Sequence, residues 1–172
     1  RAAARHMIAT GNGGAIVNAS SGSLTLLQST VKTNGSGLGA KGGGIYNNGA
    51  LTANYTTISG NTASDGGGIA NVNFSGTTSV SLLLTTISGN NATNRGGGIF
   101  NDFGASVLIT DSTITANSAA AEGGGIFRQS EVRMGGSMLA SRTRARSWLP
   151  ACPGRRGLAM RGSRSTPAAR PR

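Results

Sequence analysis

The stretch GGGIFNDFGASVLITDSTITAN, residues 96–117, decides the reading of this chain. It opens on three glycines and an isoleucine and reaches an asparagine at Asn101. An alternating segment with Val107 and Ile109 follows, and then an apolar anchor at Ile114 and a second asparagine at Asn117. Apolar residues two apart put both side chains on one face of a strand. The glycine, asparagine, serine and threonine between them are turn formers, not helix formers.

The same pattern recurs along the chain. A Gly-Gly-x-Ile element ends at Ile16, Ile45, Ile69, Ile99 and Ile126, at steps of 29, 24, 30 and 27 residues. The second anchor falls on Val31, Ile58, Ile87 and Ile114, at steps of 27, 29 and 27. Alternating pairs precede it: Leu24/Leu26, Leu51/Ala53, Val80/Leu82 and Val107/Ile109. Two or three short strands per unit are too little for an independent domain, so each unit must bury its apolar face against its neighbours. The expectation is an all-β chain forming a single-stranded right-handed parallel β-helix, a pectin-lyase-like solenoid of about four to five coils. Its expected divisions are a ragged start over residues 1–7, the β-helix over 8–140 and a basic, disordered tail over 141–172.

Stacking places equivalent residues roughly 4.8 Å apart, so columns of the repeat become ladders in space. Asn18, Asn47, Asn71 and Asn101 form one column, and Asn34, Asn61, Asn90 and Asn117 another. Each amide offers two donors and two acceptor lone pairs, which suits hydrogen bonding along a stack. The residue before each glycine triplet is Lys41, Asp65, Arg95, then Glu122, an alternation that suits a ladder of weak ion pairs. Val17, Tyr46, Ala70, Phe100 and Phe127 follow the glycine-element Ile. With the Ile inward, that column faces outward, either packed against a neighbouring loop or open as a sugar-stacking track.

The overall charge of +11 misleads. Residues 7–127 hold Lys32, Lys41 and Arg95 against Asp65, Asp102, Asp111 and Glu122, a net charge of −1. The excess lies in the eleven arginines of residues 128–172. In that region the repeat spacing persists through Val132, Met134 and Leu139, but Arg142 stands where the next column asparagine belongs. From about Ser141 onward the chain has no Asn and no acid, and it holds all four prolines, Trp148 and Cys152. Such an abrupt loss of register is what a reading-frame shift in GC-rich DNA produces; a genuine basic tail is the alternative. A nucleic-acid partner is not expected, because a single Trp does not supply the stacking platform such a site needs.

One cysteine excludes an internal disulfide and one histidine, His6, excludes a Cys/His zinc site. No apolar run approaches the roughly 20 residues of a membrane helix. The chain starts at Arg1 without a signal-peptide pattern, which reads as a fragment. Catalysis would need convergent carboxylates. Asp102 and Asp111 are the best remaining pair, and neither is taken as a site. Catalytic, cofactor-binding and metal-binding residues are all expected to be none. Five N-x-S/T sequons, at Asn18, Asn34, Asn54, Asn73 and Asn91, follow from an Asn- and Thr-rich composition.

The units GGGIYNNGALTANYTTISGN (42–61) and GGGIFNDFGASVLITDSTITAN (96–117) resemble the bacterial repeats of the polymorphic outer membrane protein type. These repeats occur in cell-surface proteins with a right-handed, pectin-lyase-like β-helix. The resemblance spans roughly residues 8–140, and GG[AG]I is matched at all five copies. The FxxN tetrapeptide of the chlamydial members is not cleanly kept. The resemblance implies export and an extracellular, cell-surface or outer-membrane location. The expected function is a non-catalytic structural or adhesive stalk, with surface glycans or a host or neighbouring cell surface as partner. Two alternatives stand beside it: a fragment of a carbohydrate-active lyase or hydrolase, and a carbohydrate-binding module using Tyr46, Phe100 and Phe127. Open strand edges at both stack ends further suggest edge-to-edge self-association.

Overall fold

The computed structural model describes residues 2–74 and 77–140. They form an all-β parallel solenoid of about five coils, with no helix. The tail from residue 141 lies outside the described residues.

Four sheets run along the stack. The glycine elements build the first from β2 (Ile16–Asn18), β5 (Ile45–Asn47), β9 (Ile69–Asn71), β13 (Ile99–Asn101) and β17 (Ile126–Arg128). The alternating segments build the second, or long, sheet from β3 (Ser23–Leu27), β6 (Ala50–Asn54), β10 (Thr78–Leu83), β14 (Ala105–Thr110) and β18 (Val132–Gly135). The anchors build the third from β4 (Thr30–Lys32), β7 (Thr57–Ser59), β11 (Thr86–Ser88), β15 (Thr113–Thr115) and β19 (Met138–Ala140), with β1 (Ala3–Arg5) at its edge. All pairings are parallel, and the register places repeat columns side by side: Ile45 against Ile69, Val80 against Val107, Ile87 against Ile114.

A fourth sheet was not expected from the sequence. Strands β8 (Thr62–Asp65), β12 (Asn91–Arg95) and β16 (Ser118–Ala119) pair where the repeat reads as a polar turn. The central coils therefore hold four strands, not two or three. Ala63 and Asp65 are both buried, an inward alternation too short and too polar to register as a strand signal. The register slips between Ala92 and Arg95, a bulge that admits one extra residue.

The interior is one apolar column of Leu, Ile and Val, including Leu51, Ile58, Ile69, Val80, Ile87, Ile99, Ile109 and Ile114. It is sealed in the middle, and in the last described coil Leu139 is 44% exposed.

Both asparagine columns are continuous hydrogen-bonded ladders. Asn18, Asn47 and Asn71 each donate from Nδ2 to the Oδ1 of the next coil's asparagine, at 2.7, 2.7 and 2.8 Å. Asn34, Asn61 and Asn90 do the same at 3.0, 2.9 and 2.9 Å. Each Oδ1 of the second ladder also accepts a backbone N–H from the preceding coil, as Asn90 does from Asn61 at 2.9 Å. A third polar ladder went unread: the Thr85 hydroxyl donates to Ala53 O at 3.0 Å, and the Thr85 amide donates to the Ser112 hydroxyl at 3.0 Å. Buried polar groups are tolerated only when so paired.

Each coil turns at three corners that take positive φ. The glycine corner is Gly13, Gly42, Gly66, Gly96 and Gly123. Between the long sheet and the third sheet it is Gln28, Tyr55, Leu84, Asp111 and Gly136. After the third sheet it is His6, Thr33, Gly60, Gly89 and Ala116.

Candidate functional site

The aromatic column does not form an open track. Tyr46, Ala70 and Phe100 are buried with Val72 in a second apolar cluster, and Phe127 packs against it. Period-2 alternation correctly turns these side chains away from the main core, but Tyr46, Ala70 and Phe100 are covered, Phe127 is half-buried, and Val17 at the head of the column is exposed. The cations of the neighbouring column fold over them. The Arg95 guanidinium lies 5.0 Å from the Phe100 ring centroid and 4.9 Å from that of Phe127, and the two rings stack 5.5 Å apart. Lys41 Nζ sits 4.8 Å over Phe100. It crosses the coil that holds Ala70, the smallest residue of the column. Cation–π contacts of this kind favour a desolvated ring face already in use. Phe100 is 1% exposed, so its face is closed to a sugar, and the module built on Tyr46, Phe100 and Phe127 is corrected on that ground.

The charge column is real in register, since Lys41 bridges Asp65 and Arg95 bridges Glu122. It is not a continuous ion ladder. Asp65 is buried and takes Arg95 in a forked pair, Nε to Oδ1 at 3.3 Å and Nη2 to Oδ2 at 3.2 Å. Asn94 Nδ2 and the Arg95 backbone N–H complete its shell at 2.9 and 3.2 Å. Lys41 turns to the ring instead. The arrangement fixes Arg95 over the aromatics and leaves the Asp65 carboxylate engaged by four donors.

Burial holds the Tyr46 phenol above its ordinary pKa, and the negative charge of Asp102 adds to the effect. Asp102 itself accepts the Phe103 amide at 2.9 Å. Asp102 and Asp111 stand at opposite ends of strand β14, Ala105–Thr110. Six extended residues span roughly 20 Å, well beyond the separation of a glycosidase pair. Among the described residues no three of His, Cys, Asp and Glu gather to hold a metal ion. Of the five sequon asparagines, Asn18 and Asn34 are buried in the ladders.

What the sequence missed is where the exposed aromatics are. Among the described residues Tyr55, Phe74 and Phe103 stand in solvent, all at coil corners. They vary in kind and position from coil to coil, so no periodic signal marks them. The outer face of the long sheet also carries a shallow groove of about 440 Å³ bordered by Ser79, Ser81, Ser106, Leu108, Glu131 and Arg133. The last two form an exposed ion pair at 2.6 Å.

The Chlamydia polymorphic membrane protein (Chlamydia_PMP) repeat matches residues 84–102. That window contains the anchor Ile87, the ladder residues Asn90 and Asn101, the Arg95 fork and the glycine triplet. No curated protein and no solved structure matches the chain. The match is to a repeat, and it falls within the repeating, parallel solenoid of this chain.

Proposed function

We propose that this chain is a rigid, non-catalytic length of a bacterial cell-surface or secreted protein, which holds corner loops away from the cell for adhesion. The continuity of the asparagine ladders carries this reading. Two unbroken amide chains inside an in-register stack make a stiff rod, because local opening must break several mutually polarised hydrogen bonds. The surface supports display in turn, since the exposed aromatics occupy corners that the stack does not need for its own packing. A second copy or a host or neighbouring cell surface is the proposed partner, and stack ends such as that around Leu139 are the proposed route of self-association.

Antibodies raised against the chain are expected to label intact source cells. Labelling that appears only after permeabilisation would overturn the surface assignment. Beads coated with the chain are expected to retain cells. Polysaccharides incubated with it are expected to release no reducing ends; release that falls in an Asp102→Asn variant would establish the enzymatic alternative instead.

A further inference from the structure

An asparagine followed by glycine is the step at which a main chain most readily attacks its own side chain, because glycine brings no Cβ to shield its nitrogen. The chain has three such steps, Asn12–Gly13, Asn34–Gly35 and Asn48–Gly49. All three lie among the described residues. The reaction needs a free glycine nitrogen beside the amide carbon and a side-chain nitrogen able to leave.

The fold treats the three steps differently. Gly13 donates its N–H to Lys41 O at 2.9 Å, and Asn12 Oδ1 accepts the Lys41 N–H at 2.8 Å. Gly35 donates its N–H to Met7 O at 2.8 Å. Asn34 is a buried rung of its ladder, with Nδ2 donating to Asn61 Oδ1 at 3.0 Å and to Ala4 O at 3.1 Å. In both steps the attacking nitrogen is tied into the stack. Asn48 is the exception. It stands half-buried at the corner between β5 and β6, one residue beyond the ladder. Among the described residues neither the Gly49 N–H nor Asn48 Nδ2 has a hydrogen-bond partner. Asn48 Oδ1 accepts the Phe74 N–H at 3.3 Å and the Thr78 hydroxyl at 3.5 Å, both from the next coil. Nucleophile and leaving group are therefore free. The two donors sit on the oxygen where negative charge develops in the tetrahedral intermediate.

We propose that Asn48 is a self-modifying site, which converts to aspartate and isoaspartate through a succinimide. Gly49 N bonds to Asn48 Cγ, the Cγ–Nδ2 bond breaks, and ammonia leaves with the proton from Gly49. Water then opens the imide at either carbonyl. One product keeps the main chain as it was. The other carries the main chain through the side-chain carbon and is one methylene longer between β5 and β6. Both place a new negative charge at the corner. This goes beyond surface display and is read independently of it.

The test ages the full chain at mildly alkaline pH in water labelled with heavy oxygen, and maps each Asn-Gly peptide by mass spectrometry. A parallel sample is aged in guanidinium chloride. The unfolded chain is expected to take up label at all three steps at similar rates. The folded chain is expected to keep Asn48 near its unfolded rate. It is expected to slow Asn12 and Asn34 by about tenfold or more, since each must first break a backbone hydrogen bond. Asn48→Gln, whose longer side chain must close a larger ring, is expected to lose the label at that peptide with an unchanged circular dichroism spectrum. A folded chain that protects Asn48 as strongly as Asn34, or labels Asn12 as fast as Asn48, would refute the proposal. So would label persisting in the Asn48→Gln peptide.

Discussion

Two corners of the same coil take nearly the same backbone angle and obey different rules. At the glycine corner φ is +65° at Gly96, and the equivalent position is Gly in every coil from Gly13 to Gly123. At the corner after the long sheet φ is +49° at Leu84, and the column reads Gln28, Tyr55, Leu84, Asp111 and Gly136. A positive φ costs a non-glycine residue about 1–2 kcal/mol, which the second corner accepts repeatedly. The difference is therefore not in the angle but in what surrounds it. A Cβ at Gly96 would stand 2.5 Å from the Ile99 carbonyl oxygen, inside the turn that starts the first sheet. At the second corner the side chains leave the stack for solvent. Close approach makes a glycine column; a left-handed angle alone does not.

The sharpest way to break this comparison is the same substitution at two corners. Gly96→Ala carries both the angle and the clash and is expected to cost about 3 kcal/mol or more. Gly89→Ala, at the corner after the third sheet, has a φ of +62° but nothing nearer to its Cβ than Gly60 N at 4.0 Å. It is expected to cost only about 1 kcal/mol. Because a stack need not unfold as one unit, the reading should be local: amide exchange at Ile87, Ile99 and Asn101 alongside the urea midpoint. Equal costs at the two sites would sink the argument. The smallest effect, with the opposite sign, belongs to the open corner. Leu84→Asn relieves an unfavourable left-handed residue without touching the core, and is expected to raise stability by about 0.5–1 kcal/mol. A loss of stability there would show that Leu84 packs in a way its 43% exposure does not suggest.

These corners also show what was legible beforehand. The glycine, asparagine and isoleucine columns were plain because each is enforced by a contact that tolerates one residue type: a carbonyl, an amide ladder, a sealed core. Coil stacking and register followed from them. The open corner was invisible, since Gln, Tyr, Leu and Asp share nothing a periodicity can detect. The fourth sheet was hidden for a related reason: Ala63 and Ala92 are its only buried apolar partners in register. For the aromatic column the direction was right, and of the two destinations it left open the structure takes the packed one. Alternation shows which face of a strand a residue occupies, but not that Lys41 and Arg95 from other positions will cover that face.

Every amide-to-amide bond of the two ladders is donated by one coil to the coil that follows it. This gives the rod a direction as well as a length. A coil turned end for end would bring oxygen against oxygen at one of its junctions, whereas a whole coil inserted in the native sense would extend both chains of bonds without a fault. The number of residues between rungs is unconstrained by this rule, as the corner from Asn71 to Thr78 and the shorter one from Asn101 to Ala105 show. Growth by duplication of whole coils is thus compatible with the interior at every step, while the corner loops stay free to diverge.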